Sequence, residues 1–135
     1  MTSVLEINNL TKRFGKFEAL SKLNMRVEEG EIFGFIGPNG SGKSTTIKTM
    51  LGQLKPSSGS VTLFGKDAFK EAVAIHERIA YVPGDVNLWP NLTGEEVIEF
   101  LLSLQKSVNH ERKQMLIRDF ELDIHKKCSA YSKGN

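Results

Sequence analysis

Leu23, Met25 and Val27 alternate with Asn24, Arg26 and Glu28, the period of a strand with one buried face. Leu5 and Ile7 predict a similar, shorter strand, and Glu29-Gly30 predicts a tight turn. The run Ile32-Phe33-Gly34-Phe35-Ile36 is apolar on both faces, as a central strand requires. After Gly42 the period changes. Ile47, Met50, Leu51 and Leu54 fall on one face of a helix. Gly52 and Pro56 mark its end, and Pro56-Ser57-Ser58-Gly59 reads as a turn. A short strand is predicted over 61–64, a helix over 69–78, and a further strand over 79–82, stopped by Pro83-Gly84. Thr93-Gly94-Glu95-Glu96 has capping-box spacing: the Thr93 hydroxyl can accept from the Glu96 N–H while the Glu96 carboxylate reaches back. Val97, Phe100, Leu101 and Leu104 then form a helical stripe expected in a core. A second helix starts near Asn109, with Leu116 and Phe120 expected inward. Strands, a buried strand, a helix and a late helical block together point to the α/β class with a helical appendage.

Composition narrows the classes. The 135 residues are 39% hydrophobic and 25% charged, the mix of one ordinary globular domain. That excludes collagen, coiled coil and intrinsic disorder. A net charge of +2 is too balanced to imply nucleic acid, and no nucleic-acid partner is expected. The single cysteine, Cys128, has no internal disulfide partner and reads as an inert thiol, consistent with a reducing compartment. The N-terminal stretch shows no basic segment followed by an apolar one, so no secretory signal is expected. The apolar runs fall far short of the roughly 20 residues of a membrane span. If the protein works at a membrane, another chain or segment crosses it.

The segment that carries chemistry is Gly37-Pro38-Asn39-Gly40-Ser41-Gly42-Lys43-Ser44-Thr45, a match to the pattern G-x-x-x-x-G-K-[ST]. Average residue usage gives roughly one chance match in two hundred chains of this length. The context adds specificity, because an apolar strand pattern precedes the loop and an amphipathic helix pattern follows it. A phosphate chain needs many converging donors. Glycines let successive backbone N–H groups turn inward, and the helix starting near Lys43 adds its unpaired N–H groups and positive dipole end. Lys43 can reach β- and γ-phosphates, Ser44 can offer its hydroxyl to Mg²⁺, and Thr45 can bond the α-phosphate. The loop alone therefore predicts a phosphate-bearing ligand with Mg²⁺.

Many phosphate-transfer proteins share such a loop, and its position discriminates among them. Here two strand candidates come before it. Leu10-Thr11-Lys12-Arg13-Phe14-Gly15, Ala19-Leu20, Glu29-Gly30-Glu31-Ile32 and Gly37-Pro38-Asn39-Gly40 follow one another in the order found in ATP-binding cassette (ABC) transporter ATPases. Ile79-Ala80-Tyr81-Val82-Pro83 resembles the strand entering that family's Q-loop, and Leu88-Trp89-Pro90-Asn91-Leu92-Thr93 the segment after it. Tyr131-Ser132-Lys133-Gly134-Asn135 resembles a degenerate form of the family signature motif.

The resemblance implies a P-loop NTPase fold of the α/β class: the core half of an ABC-type ATPase, with an N-terminal antiparallel β-subdomain and the start of a helical subdomain. It implies one incomplete domain over 1–135, with the β-subdomain and phosphate-loop core over 1–83 and the Q-loop region and helical subdomain over 84–135. That the phosphate-bearing ligand is ATP is also what the resemblance implies. Phe14 is then the aromatic that stacks on adenine, the alternative being a strand-end phenylalanine that packs in the fold. Ser132 and Gly134 contact the γ-phosphate of ATP held by a second nucleotide-binding domain in a head-to-tail sandwich. The other implied partner is a transmembrane permease subunit, which would hold the protein on the cytoplasmic face of the cell membrane.

Two departures stand out. Where the family has its Q-loop glutamine, Pro83 is followed by Gly84 and Asp85. Asp85 can supply an oxygen to Mg²⁺ in its place or be an ordinary loop aspartate; the loop looks more like exporters than importers. Second, no run of four apolar residues followed by Asp-Glu occurs, nor a histidine in the family's switch context. His76, His110 and His125 lack metal-ligand spacing and read as solvated. The stretch is therefore expected to end inside the signature motif, to be hydrolytically inactive by itself, and to leave the edges of 32–36 unpaired.

The parent function implied is ATP binding and hydrolysis that drives transport through separate transmembrane subunits. Two other classes remain open: a non-transport ABC ATPase, which a second cassette downstream would favour, and a non-catalytic nucleotide-binding module. Trp89 is expected to pack in the helical subdomain, with an interface role as the alternative. Lys126-Lys127 reads as a solvated pair.

Overall fold

The computed structural model describes residues 2–134 and divides the chain into two compact units, one ending at Ala80 and one starting at Tyr81. The first is built on a four-stranded antiparallel sheet. β1 (Ser3–Phe14) and β2 (Phe17–Glu28) form a long hairpin. After the loop and helix α1 (Lys43–Met50) come β3 (Ser58–Leu63) and the short β4 (Lys66–Asp67), then α2 (Ala72–His76). The strand order is β2-β1-β3-β4.

Leu5, Ile7, Leu10, Leu20, Val61, Leu63, Ala68 and Ile75 form the core of this unit. Leu5 and Ile7 follow the two-residue period of one sheet face. A register shift between Ile7 and Leu10, with Asn9 at φ 48°, resets the phase. Leu10 therefore faces the core, fully buried, as a bulge allows. Thr11 beside it is buried because its hydroxyl accepts from the Lys22 N–H at 3.1 Å.

Three expectations for the stretch up to residue 82 change. The central strand predicted over 32–36 is not formed: the segment, whose edges were expected to lack partners, belongs to no sheet, and Ile32 is 101% and Ile36 94% exposed. A strand exists only with a hydrogen-bonding neighbour, and the sheet closes at β2 and β4 without reaching it. Residues 79–82 form no strand for the same reason, with Tyr81 and Val82 exposed. The helix predicted over 69–78 is confined to Ala72–His76. The Asp67 carboxylate accepts from the Phe69 and Lys70 N–H groups at 3.0 and 2.9 Å, and this turn delays the helix.

The buried face of α1 also differs from the apolar stripe. Thr46 and Thr49 are fully buried, while Ile47, Met50, Leu51 and Leu54 are only half-buried. The threonine hydroxyls donate to the Gly42 and Thr45 carbonyls at 3.0 and 2.8 Å. That satisfies them inside the fold and leaves their methyl groups to pack.

The second unit holds α3 (Gly94–Ser103) and α4 (His110–Asp119), followed by a 3₁₀ turn at Cys128–Ala130. The capping box at Thr93 is present in both directions, with the Thr93 N–H donating to Glu96 Oε2 at 2.7 Å. Asn109 caps α4 by accepting from the Arg112 N–H at 2.8 Å. The Lys113–Glu99 ion pair ties the two helices.

Of the expected core stripe, Val97 is buried, but Phe100, Leu101 and Leu104 are 46–67% exposed. Leu116 and Phe120 are also exposed rather than inward. With Ile98, Leu102, Ile117 and Leu122 they line an apolar groove of about 380 Å³. Amphipathic pattern marks which face favours burial; two short helices do not bury both faces. Trp89 meets Phe100 edge-to-face, with ring centroids 5.3 Å apart, so it packs within this unit as expected.

Candidate functional site

The loop over 37–42 is shaped by local backbone geometry. Gly40 and Gly42 sit at φ 83° and 94°, a region that costs other residues roughly 1–2 kcal/mol. Gly42 is also the N-cap of α1. A Cβ there would lie 2.5 Å from Leu20 Cδ2 and 2.9 Å from the Ala19 carbonyl oxygen. The missing side chain thus lets the loop rest directly on β2. The Thr46 N–H donates to the Gly42 oxygen at 2.9 Å, which starts the helix and leaves the amides of its first turn without an i−4 partner.

Lys43 curls over the loop. Its ammonium donates to the Gly37 and Pro38 carbonyls at 2.5 and 2.8 Å, and sits 3.4 Å from Ser41 Oγ. Ser41 N–H donates to the Pro38 oxygen at 3.2 Å and closes the turn around Asn39 and Gly40. Ser44 is exposed and Thr45 half-buried.

A cavity of about 300 Å³ lies over this turn, lined by Asn39, Gly40, Gly42, Lys43, Ser44 and Thr45 from the loop and by Phe17 and Ala19 from β2. The structure therefore brings together a cradle that a Cβ would fill, a cation, helix-terminal amides and a free hydroxyl. These are the donors and the oxygen ligand that a nucleotide triphosphate with Mg²⁺ requires.

Phe14 is at the hairpin tip, 48% exposed, with the Lys12 ammonium 5.0 Å from its ring centroid. Phe17 and Ala19 are the lining residues that sequence reasoning overlooked. The usable signal was the two-residue connection Gly15-Lys16, which pairs Phe14 with Phe17 across the hairpin.

The remaining candidates lie in the second unit. Asp85 is almost fully exposed, 3.9 Å from Lys133 Nζ. Ser132 and Gly134 are exposed and share with Asp85 a broad cavity of about 890 Å³. Asn135, the last residue of the expected signature motif, lies outside the described residues.

The segment leading to Ser132 is stitched to the start of α3. Cys128 N–H donates to Leu92 O at 2.8 Å and Ser129 N–H to Pro90 O at 3.1 Å. The Tyr131 hydroxyl donates to Asp123 O at 2.5 Å. Burial, followed by the nearby Cys128 and Asp123, raises the Tyr131 pKa above the usual phenol value.

Comparison with known proteins gives a consistent picture. A profile of the ABC transporter family matches residues 20–135. The probable multidrug ABC transporter ATP-binding protein YbhF of Escherichia coli is 42% identical over 73% of this chain and 17% of its own length. The uncharacterized ABC transporter ATP-binding protein YdbJ of Bacillus subtilis is 36% identical over 97% of this chain and 43% of its own. The chain thus spans less than half the length of these curated relatives. Among solved structures, the ATP-binding subunit of an ABC transporter superposes with a TM-score of 0.85 at 27% identity. It covers 96% of this chain and is itself 56% covered.

Proposed function

The chain belongs to the ABC transporter family, a family of ATPases, and we propose on that premise that residues 37–45 bind the phosphates of ATP. The observation that carries this reading is the convergence of Lys43, the first turn of α1 and the glycine cradle on one cavity. Lys43 exchanges the Gly37 and Pro38 carbonyls for the β- and γ-phosphates. Backbone amides from Gly37 through Gly42 line the phosphate chain, with Pro38 adding no donor, and Asn39 and Ser41 shape the turn. Ser44 gives its hydroxyl to Mg²⁺, and Thr45 bonds the α-phosphate. Bound ATP supplies the anhydride whose hydrolysis drives transport in the complete protein.

The other assignments follow from the same family pattern. Phe14 stacks on the base. Asp85 offers Mg²⁺ an oxygen. Ser132 and Gly134 meet the γ-phosphate of a second nucleotide-binding domain. We assign this chain to an ATP-binding subunit that works with a transmembrane permease on the cytoplasmic face of a membrane. The Pro83-Gly84-Asp85 loop, which resembles that of exporters more than importers, supports export as the direction. The 135 residues carry no apolar run followed by Asp-Glu, so this stretch is assigned binding and not hydrolysis. We treat 1–83 as β-subdomain and phosphate-loop core and 84–135 as Q-loop region and helical subdomain.

Titration calorimetry with Mg²⁺-ATP tests the reading. Lys43→Ala removes a charged hydrogen-bond donor worth roughly 1.5–3 kcal/mol, about 10- to 150-fold in affinity. Unchanged affinity overturns the assignment.

A further inference from the structure

We propose that His76 is a positioning residue for the phosphate cradle: its Nε2–H holds the Leu51 carbonyl and so fastens the far end of α1, the helix whose first turn faces the phosphates. The inference rests on the phosphate-loop reading above and adds a residue that acts on the loop through α1.

α1 has eight residues, about 12 Å from end to end. A helix that short does not hold itself in water, so its neighbours decide how still its first turn sits. At the phosphate end, Gly42 rests on the Ala19 carbonyl and the Leu20 side chain. At the other end the chain closes the last turn itself. Leu51 N–H donates to Ile47 O at 2.9 Å, Gly52 N–H to Thr49 O at 3.1 Å and Gln53 N–H to Lys48 O at 2.9 Å. The Leu51 carbonyl lies beyond those bonds, and His76 takes it, with Nε2 2.8 Å away on a residue 25 positions later. A carbonyl only accepts, so Nε2 carries the proton in this contact. A ring N–H at the C-terminal end of a helix also meets the negative end of its dipole.

The His76 ring is exposed, but the backbone that carries it is anchored. Ile75 before it is fully buried in the core, and the Ile75 N–H donates to Glu71 O at 3.1 Å. Two residues on, the Arg78 guanidinium carbon lies 3.8 Å from the Phe64 ring centroid. The end of α1 also approaches the start of α2 closely: a Cβ on Gly52 would lie 2.5 Å from Ala68 O and 2.8 Å from Ala72 Cβ. One close backbone contact and one side-chain hydrogen bond therefore fasten α1 to α2. Releasing the bond loosens one end of a two-turn rod. Ligand must then order the amides and Lys43 at the other end, a cost taken from its affinity.

The 135-residue chain and its His76→Ala and His76→Gln variants are titrated calorimetrically with Mg²⁺-ATP and with Mg²⁺-tripolyphosphate, well below their melting temperatures. A hydrogen bond at an exposed site sits at the lower end of the usual range, so His76→Ala is expected to weaken both ligands by the same factor, about two- to fivefold. Equal loss is the mark of the cradle, since tripolyphosphate has no base. His76→Gln places an amide N–H at similar reach and is expected to restore both affinities. In the unaltered chain at about pH 8, where imidazole is ordinarily neutral, ring nitrogen shifts should report the Nε2–H tautomer. Unchanged affinity in His76→Ala overturns the proposal, whatever happens to the melt, because the bond would then serve stability alone. So does a folded His76→Gln as weak as His76→Ala, a loss confined to ATP, or an Nδ1–H ring. If neither ligand binds the unaltered chain, the phosphate-loop reading itself fails and this inference falls with it. Matching circular dichroism spectra establish that the variants keep the fold.

Discussion

Gly94 has a negative-φ helical backbone, yet it has no room for a side chain. It is buried at the first position of α3, under Tyr131. A Cβ there would sit inside contact distance of the Tyr131 hydroxyl oxygen, and 3.1 and 3.3 Å from two of its ring carbons. The hydroxyl cannot simply swing away, because it donates to Asp123 O at 2.5 Å. Forcing a methyl into such a site costs roughly 1–3 kcal/mol, and loss of the hydroxyl bond adds roughly 1 kcal/mol. The opposing term is helix propensity, which favours Ala over Gly by at most about 1 kcal/mol. Gly94→Ala is therefore expected to destabilise the second unit by about 1–3 kcal/mol.

Tyr131→Phe removes the oxygen and leaves ring carbons at 3.1 Å or more, a contact that a small shift relieves. In the double variant the cost of Gly94→Ala should fall by about 1 kcal/mol or more, a coupling that a double-mutant cycle reads directly. Urea denaturation followed by tryptophan fluorescence suits the purpose. Trp89 is the sole tryptophan of the chain and packs on Phe100 inside this unit. A Gly94→Ala midpoint equal to or above that of the unaltered chain refutes the packing argument. Equal cost of Gly94→Ala in both backgrounds refutes the assignment to Tyr131.

Two further outcomes follow from the same geometry. Gly42→Ala meets both a φ of 94° and the Ala19–Leu20 contact, so it should destabilise the first unit by about 2 kcal/mol or more and weaken Mg²⁺-ATP binding; a melt and a titration matching the unaltered chain would contradict this. The raised Tyr131 pKa means the folded second unit favours the neutral phenol. Its contribution is complete below the ordinary phenol value near pH 10 and is lost as pH rises through the higher folded value. Alkaline titration followed by Trp89 fluorescence should show a loss of stability that Tyr131→Phe abolishes.

What the sequence discloses is what short-range chemistry decides. The phosphate loop, the Thr93 capping box and the Asn109 cap each depend on residues within a few positions of one another. Alternation marks a strand at Leu5 and Ile7 and another at Leu23, Met25 and Val27, but not the full length of β1, the joining of β1 and β2 into one hairpin, or the bulge at Asn9. The strand predicted over 32–36 depends on a neighbour, and apolarity alone cannot supply the hydrogen bonds that make a strand. The stripes on α3 and α4 identify faces without saying what lies against them. Thr46 and Thr49 mislead in the opposite sense. They count as polar, but each hydroxyl is satisfied one turn back in its own helix and the residue is buried. The place of Phe17 beside the loop depends on the contact of Gly42 with Ala19 and Leu20, residues distant from it in sequence.

These differences bear on how the phosphate cradle is held. The segment before it, 32–36, is exposed and unpaired, so it does not clamp the loop. The anchoring comes from behind and below. Thr46 and Thr49 seat α1 in the fold, the Thr46 amide and hydroxyl both engage the Gly42 carbonyl, and Gly42 rests on β2. The positive-φ glycines then fix the turn, and Lys43 closes it from above. A loop restrained this way keeps its donors converged before ligand arrives, which lowers the ordering cost of binding. It also makes β2 part of the site and not only part of the scaffold. The strand that supports Gly42 through Ala19 and Leu20 also contributes Phe17 and Ala19 to the lining of the cavity over the loop.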